Sequence, residues 1–299
     1  MRDRFIANLV KYLRKNKNTY FLTGDLGFGV IDNLSNIYPK NVINVGVSEQ
    51  NMIGVAAGLA SRGAKVIVYS IGNFSTLRCL EQIRNDVCYH NFDVNIVSVG
   101  AGFSYGVLGV SHHATEDIGI FNTLPNIHIY SPSTLRDVDY TCKEIFDSKK
   151  PSFIRLDKSN SQSNGVISNG FNIRKSNKSK VCIVSTGGII EEIDEILEDD
   201  NFKNKISICS IYRIKPFNKK KFINFIKNYE NILTLEEHQE NGGLNSIITN
   251  LLYDNNLKIN LSKFAIQNKY SNLAGDQKYL RKLNKINSTA IKKKLLEII

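Results

Sequence analysis

A carboxylate heads an unusual run of residues: Val45-Gly46-Val47-Ser48-Glu49-Gln50-Asn51-Met52, continued by Ile53-Gly54-Val55-Ala56-Ala57-Gly58-Leu59-Ala60. Acidic side chains suit the positive end of a helix, so Glu49 reads first as an ordinary helix start. The helix behind it is small and apolar, and its glycines and alanines imply that its backbone packs closely against another surface. A carboxyl group beside such a dry surface is suited to holding its proton at neutral pH, the property that proton-transfer chemistry needs.

Three further groupings carry chemical potential. Gly24-Asp25-Leu26-Gly27-Phe28-Gly29 follows a strand and has the look of a phosphate loop, but it is not G-x-G-x-x-G and lacks the Walker lysine. It also begins like the Gly-Asp-Gly…Asn signature of thiamine enzymes, with Asn51 downstream; Leu26 at its third position marks that likeness as accidental, and the loop reads as a turn lining a cleft. Asn73-Phe74-Ser75 lies at a strand-to-helix junction, where an aromatic ring offers either a stacking face or a staple for the helix start. Gly100-Ala101-Gly102-Phe103 through Ser111-His112-His113-Ala114-Thr115-Glu116-Asp117 is a glycine-rich loop of the kind that lets backbone approach a ligand. His112 there is equally a structural or a catalytic histidine. Adjacent histidines point apart and no third ligand accompanies them, so no metal site is expected in this chain.

The elements that must position these residues alternate. Residues 19–23, 42–45, 65–71, 94–99, 127–130 and 153–156 are continuous apolar runs, the pattern of a parallel sheet covered on both faces. Helices are expected at 4–15, 49–62, 77–90, 115–121 and 135–148. Residues 158–178, rich in Ser, Asn, Gly and Lys, read as a linker. A second alternation follows, with strands at 181–185, 206–211, 232–235 and near Phe264, a helix from Leu244, and two terminal helices at 277–283 and 288–298. The expected fold is α/β with two domains: residues 1–160, a linker at 161–178, and a smaller domain at 179–299.

Composition narrows the function. With 42% hydrophobic and 22% charged residues over 299 positions, the chain is an ordinary soluble protein, without a membrane-length apolar run. The N-terminus has no apolar signal core, and the five scattered cysteines read as reduced, buried thiols, so a cytoplasmic location is expected. The net charge of +11 is concentrated at residues 175–180, 215–227 and 278–294, where lysine alternates with Asn and Ile. Without a nucleic-acid-binding motif, that charge argues for an acidic substrate or partner rather than nucleic acid or membrane.

Taken in order, the Glu49 run, the Phe74 segment, the Ser111–Asp117 loop and Tyr130-Ser131-Pro132-Ser133 resemble the landmarks of transketolases. Ser185-Thr186-Gly187-Gly188, Ile214-Lys215-Pro216-Phe217 and Glu236-Glu237-His238-Gln239-Glu240-Asn241-Gly242-Gly243 continue the resemblance to the end of the chain. It implies a thiamine pyrimidine-binding domain followed by a transketolase C-terminal domain, and a two-carbon ketol transfer between sugars. The upstream diphosphate- and magnesium-binding domain of single-chain transketolases is not found. The resemblance therefore implies the C-terminal subunit of a split enzyme, whose partner N-terminal subunit holds the diphosphate and Mg while this chain takes the pyrimidine of thiamine diphosphate. Two copies paired through the pyrimidine domains, with two partner chains, would make a heterotetramer.

By the same resemblance Glu49 bonds a ring nitrogen of the aminopyrimidine and relays its proton, and Phe74, with Asn73 beside it, stacks on that ring. His112, with His113 next to it, contacts substrate oxygen. Lys158 falls where sugar-phosphate enzymes carry a phosphate-binding arginine, and Asp25 matches an acid near the interdomain cleft. The chain departs from those enzymes at Gly100-Ala101, where they place a His-Asp pair, and at Leu108, where they place an aspartate. Unusual sugars, as in surface-polysaccharide synthesis, are thus as compatible as pentose phosphates. Rival readings are a 2-oxo acid dehydrogenase beta chain, a deoxyxylulose phosphate synthase and, from another class, a non-catalytic partner subunit that kept the fold.

Overall fold

A computed structural model of the chain describes residues 1–27, 31–161, 165–177 and 179–299. Phe28 and Gly29 of the first loop, and residues 162–164 and 178 of the expected linker, lie outside the described residues. Among the described residues thirteen strands form two sheets: β1 Thr19–Thr23, β2 Val42–Asn44, β3 Lys65–Ile71, β4 Val94–Val99, β5 His128–Tyr130, β6 Ser152–Leu156, β7 Val166–Ser168, β8 Phe171–Arg174, β9 Val181–Ser185, β10 Ile206–Ile211, β11 Arg213–Lys215, β12 Asn231–Gln239 and β13 Asn260–Ile266. The first sheet runs β11-β5-β6-β4-β3-β1-β2 and the second β13-β12-β9-β10-β8-β7.

Strands β1 to β6 are all parallel. Every residue of β4 and β6 is buried, as expected where helices cover both faces of a sheet. Because the strands share one direction, the loops after β1, β2, β3, β4 and β6 all open at one edge. Those loops carry Asp25, Glu49, Phe74, His112 and Lys158 respectively. The chain order reverses between β1 and β3, and the crevice at such a switch point is where open α/β sheets bind ligands.

The expected linker is corrected by the structure. Residues 166–174 form a hairpin, β7 antiparallel to β8, and β8 pairs antiparallel with β10, so the second sheet begins at residue 166. Its turn is Asn169-Gly170, both at positive φ (55° and 92°), between the paired Ser168 and Phe171. This is the two-residue turn that Asn-Gly favours. The domains are also less separate than the sequence implies. Strand β11 leaves the second domain and pairs antiparallel with β5 of the first sheet. One apolar cluster runs from Met52, Val68 and Ile129 into Phe171, Val184 and Leu244.

Two helices differ in detail from expectation. Residues 77–90 are not one α-helix: a 3-10 turn (Leu77–Cys79) leads through Leu80–Gln82 into a π-helix, Ile83–Cys88. Such π segments often sit at functional sites. In helix Glu49–Ser61, Met52, Ile53, Ala56, Ala57 and Ala60 face inward. Gly54 and Gly58 do not pack within the chain, since a Cβ built on either meets no atom within 4 Å. No described helix is long and apolar enough to cross a membrane.

Candidate active site

Glu49 is the first residue of its helix and its side chain is 2% exposed. Ser48 does not cap the helix: its hydroxyl donates to the Val45 carbonyl at 2.8 Å, which fixes the turn entering the helix. Gly24, at the end of β1, comes so close that a Cβ there would lie 3.2 Å from the Gly46 carbonyl and 3.6 Å from Glu49 Oε1. The carboxylate thus projects into the crevice between β1 and β3.

The surface around that carboxylate is not purely apolar. Ser70 Oγ donates to Oε1 at 3.4 Å, and Arg78 Nη1 donates to Oε2 at 2.6 Å. The Arg78 guanidinium also lies over the Phe74 ring, its Cζ 4.3 Å from the centroid. His112 also meets Phe74 in a T-shaped contact, with centroids 5.1 Å apart and planes at 70°. Glu49, Arg78, Phe74 and His112 form one continuous chain of contacts. Arg78 was missed by sequence reasoning, although it lies one helical turn past the aromatic.

Asn73 plays a different part. Its amide donates to the carbonyls of His113 (2.7 Å) and Ser111 (3.4 Å), tying the histidine loop to the strand β3 exit. Its Oδ1 is buried and has no hydrogen-bond partner. Cys79, beneath this junction, bonds the Phe74 carbonyl; burial first, then the Glu49 charge, push its thiol up to about 12, which makes it inert packing.

The two histidines part company. His112 is half-buried beside Phe74, with Nδ1 3.0 Å from the Ser111 hydroxyl. His113 is 3% exposed, set edge-on to Phe103 and 3.3 Å from the Gly106 carbonyl. Lys158 is exposed, with Nζ 4.6 Å from the Tyr105 ring centroid. It borders a cavity of about 270 Å³ that Arg2, Gly100, Tyr105 and Asn160 also line. Asp25 is exposed in the left-handed region (φ 53°), and its backbone N–H and carboxylate both engage the Asn44 side chain (2.9 and 3.3 Å).

A buried charge network holds the histidine loop against both domains. Arg155 Nε donates to both Asp117 oxygens (3.0 and 2.8 Å), and its Nη2 donates to the carbonyls of Ala114 and Glu237 (2.9 and 3.0 Å). Glu237 accepts from the Phe103 N–H and pairs with Arg281 of the C-terminal helix pair. Gly119 N–H donates to His238 Nε2 (3.2 Å), whose Nδ1 faces the Gln239 carbonyl (2.7 Å); desolvation holds this imidazole below its usual pKa. Glu236, raised to about 8 by burial, caps helix Leu244–Asp254 by accepting from the N–H groups of Leu244 and Asn245. Among the described residues no group of three His, Cys, Asp or Glu side chains is placed to hold a metal ion.

A carboxylate and an aromatic face at the switch-point edge of a two-domain α/β chain is a place where a planar ligand ring could be held. Residues 1–163 match the transketolase pyrimidine binding domain and residues 171–285 the transketolase C-terminal domain, so the chain belongs to the transketolase family. Membership implies thiamine diphosphate as cofactor. Among relatives, an apulose-4-phosphate transketolase subunit of Actinobacillus succinogenes is 30% identical over 85% of this chain and 83% of its own length. The putative transketolase C-terminal section of Methanocaldococcus jannaschii is 29% identical over 99% of this chain and 95% of its own. A solved split-gene transketolase, described as an inactive beta4 tetramer, superposes with a TM-score of 0.84 at 24% identity, covering 98% of this chain and 97% of that one.

Proposed function

We propose that this chain is the pyrimidine-binding subunit of a split, thiamine diphosphate-dependent transketolase that moves a two-carbon ketol unit between sugars. The observation that carries the reading is the Glu49 carboxylate beside the Phe74 ring at the open edge of the first sheet. These residues fit a planar aminopyrimidine: a carboxylate for a ring nitrogen, an aromatic face for stacking, and the unpartnered Asn73 Oδ1 nearby. The bound cofactor would supply a carbanion that attacks a carbonyl carbon. Glu49 would take and return a proton at the ring nitrogen, and Ser70 would keep the carboxylate aimed. His112 would exchange a proton with the sugar oxygen, and Asn73 would hold His112 in place through the loop carbonyls.

The histidine loop and Lys158 would accept the sugar, with Lys158 and Arg2 as the cations available to a phosphate group in a cavity that Asp3 and Asp157 also line. His113, enclosed by Phe103 and the Gly106 carbonyl, would shape the loop rather than touch substrate. Asp25, bound to Asn44, would shape the β1 turn. A separate N-terminal subunit would bring the diphosphate site and magnesium; relatives named as one subunit of a transketolase and as a C-terminal section, matched over most of their own lengths, support that division. The open Gly54 and Gly58 stripe supports pairing of two copies through their pyrimidine domains, hence a heterotetramer.

Co-expression with a diphosphate-binding transketolase subunit, followed by a ketol-transfer assay, tests the reading. Glu49→Gln should lower turnover by about 10²–10⁴-fold, the usual range for a positioned proton-transfer group. Undiminished turnover would show that Glu49 is not the relay. Tight, magnesium-dependent thiamine diphosphate binding by the chain alone would refute the division into subunits.

A further inference from the structure

The proton relay gives Arg78 no task, yet Arg78 occupies both features that define the pyrimidine site. Its Nη1 holds Glu49 Oε2 at 2.6 Å while its Cζ stands 4.3 Å above the Phe74 ring. One flat group therefore spans carboxylate and aromatic face, and it must lie on the ring face turned toward Glu49. His112 makes a T-shaped contact with the same ring at 5.1 Å. A guanidinium and an aminopyrimidine share the relevant chemistry: both are planar, offer N–H groups to a carboxylate, and stack on aromatic rings. They cannot use one carboxylate oxygen and one ring face together.

Building on the proposed function, we infer that Arg78 is a placeholder for the aminopyrimidine. In the cofactor-free chain its guanidinium keeps Glu49 and Phe74 in the relative placement the ring requires. The ring then exchanges with it. The exchange is physically easy in one direction: the Arg78 side chain is 43% exposed while Glu49 is 2% exposed, so the arginine can swing into water while the carboxylate stays. The arrangement avoids a buried carboxylate facing an empty crevice, which would be costly without a partner. In return, cofactor affinity is scaled down by the fraction of chains in which Arg78 is undocked and the site is open.

The probe is 4-amino-5-hydroxymethyl-2-methylpyrimidine, the cofactor ring without its diphosphate, titrated into the full chain by calorimetry. Arg78→Ala and Arg78→Gln should bind it about 5- to 30-fold more tightly than the wild type, the range set by a half-exposed ion pair plus a cation–π contact. Added salt weakens the docked pair, so wild-type affinity should rise between low and moderate ionic strength while the variants stay flat. A residue that merely supports the fold would not produce that salt signature. Equal or weaker binding by both variants overturns the placeholder role, and so does an absence of binding by all three proteins, because the vacated site should take the ring. Glu49→Gln in the Arg78→Ala background should abolish binding. If the ring still binds there undiminished, the cofactor assignment of Glu49 fails instead.

Discussion

Replacing Arg155 with methionine tests whether buried charge locks the histidine loop between the two domains. Arg155 and Asp117 are each 1% exposed, and the guanidinium makes two bonds to the carboxylate and one each to the Ala114 and Glu237 carbonyls. Methionine removes all of them and leaves Asp117 buried with the Ile118 N–H at 2.9 Å. Removing one partner of a buried pair costs about 3–5 kcal/mol. A 299-residue chain melting cooperatively, at about 2.1 cal/mol/K per residue, has an unfolding entropy near 0.6 kcal/mol/K. The expected fall in Tm is therefore about 5–8 °C. Differential scanning calorimetry of Arg155→Met, Asp117→Asn and the double variant gives the coupling directly. The double variant should recover about 2–3 kcal/mol relative to the summed singles. Because Ala114 also exchanges two 2.9 Å backbone bonds with Gly102, ketol transfer should drop even where the variant stays folded. Additive single effects, with a Tm loss under about 2 °C for Arg155→Met, would refute the locking role.

Two other outcomes follow from local geometry. Gly24→Ala places a methyl group against the Gly46 carbonyl and Glu49 Oε1, so turnover of the complex should fall roughly ten-fold with stability changed by under about 1 kcal/mol; wild-type kinetics would show that the close approach does not aim the carboxylate. His238 titrates lower in the folded chain than in the unfolded chain, so the unfolded state binds the extra proton first as pH falls. Stability should decline below about pH 6.5, at up to about 1.4 kcal/mol per pH unit from this group. The physical cause is desolvation: the enclosed imidazole has no water to stabilise its charged form. Urea denaturation between pH 7 and 5 should show a shallower decline in His238→Gln, and parallel curves would remove His238 as the source.

The first sheet was legible because parallel, doubly covered strands such as 65–71 and 94–99 read as unbroken apolar runs, and burial along both strands explains that pattern. The hairpin at 166–174 was hidden because its strands are only three and four residues long and lie within a Ser-, Asn- and Lys-rich stretch; the Asn169-Gly170 pair was the available signal. The π-helix at Ile83–Cys88 leaves the helical period almost intact, so residues 77–90 read as a plain helix. Glu49 and Phe74 could be singled out by type and place. Arg78 could not, because an arginine in an amphipathic run has an ordinary reading as a solvated charge, and its contact with Glu49 joins residues from different strand crossovers. Nor could the sequence reveal that His112 and His113, adjacent in the chain, have unrelated surroundings.

Strand β11 has a further consequence for how the chain is made. Among the described residues β5 has β6 on one side and only β11, residues 213–215, on the other. During synthesis the first domain can assemble its six parallel strands before residue 213 leaves the ribosome, and throughout that interval β5 presents a bare row of backbone donors and acceptors. Such an edge invites pairing with another nascent chain. A fragment ending at residue 163 should therefore aggregate through the β5 edge, a route that β11 closes in the whole chain. The second domain would then act as the first domain's built-in protection against aggregation.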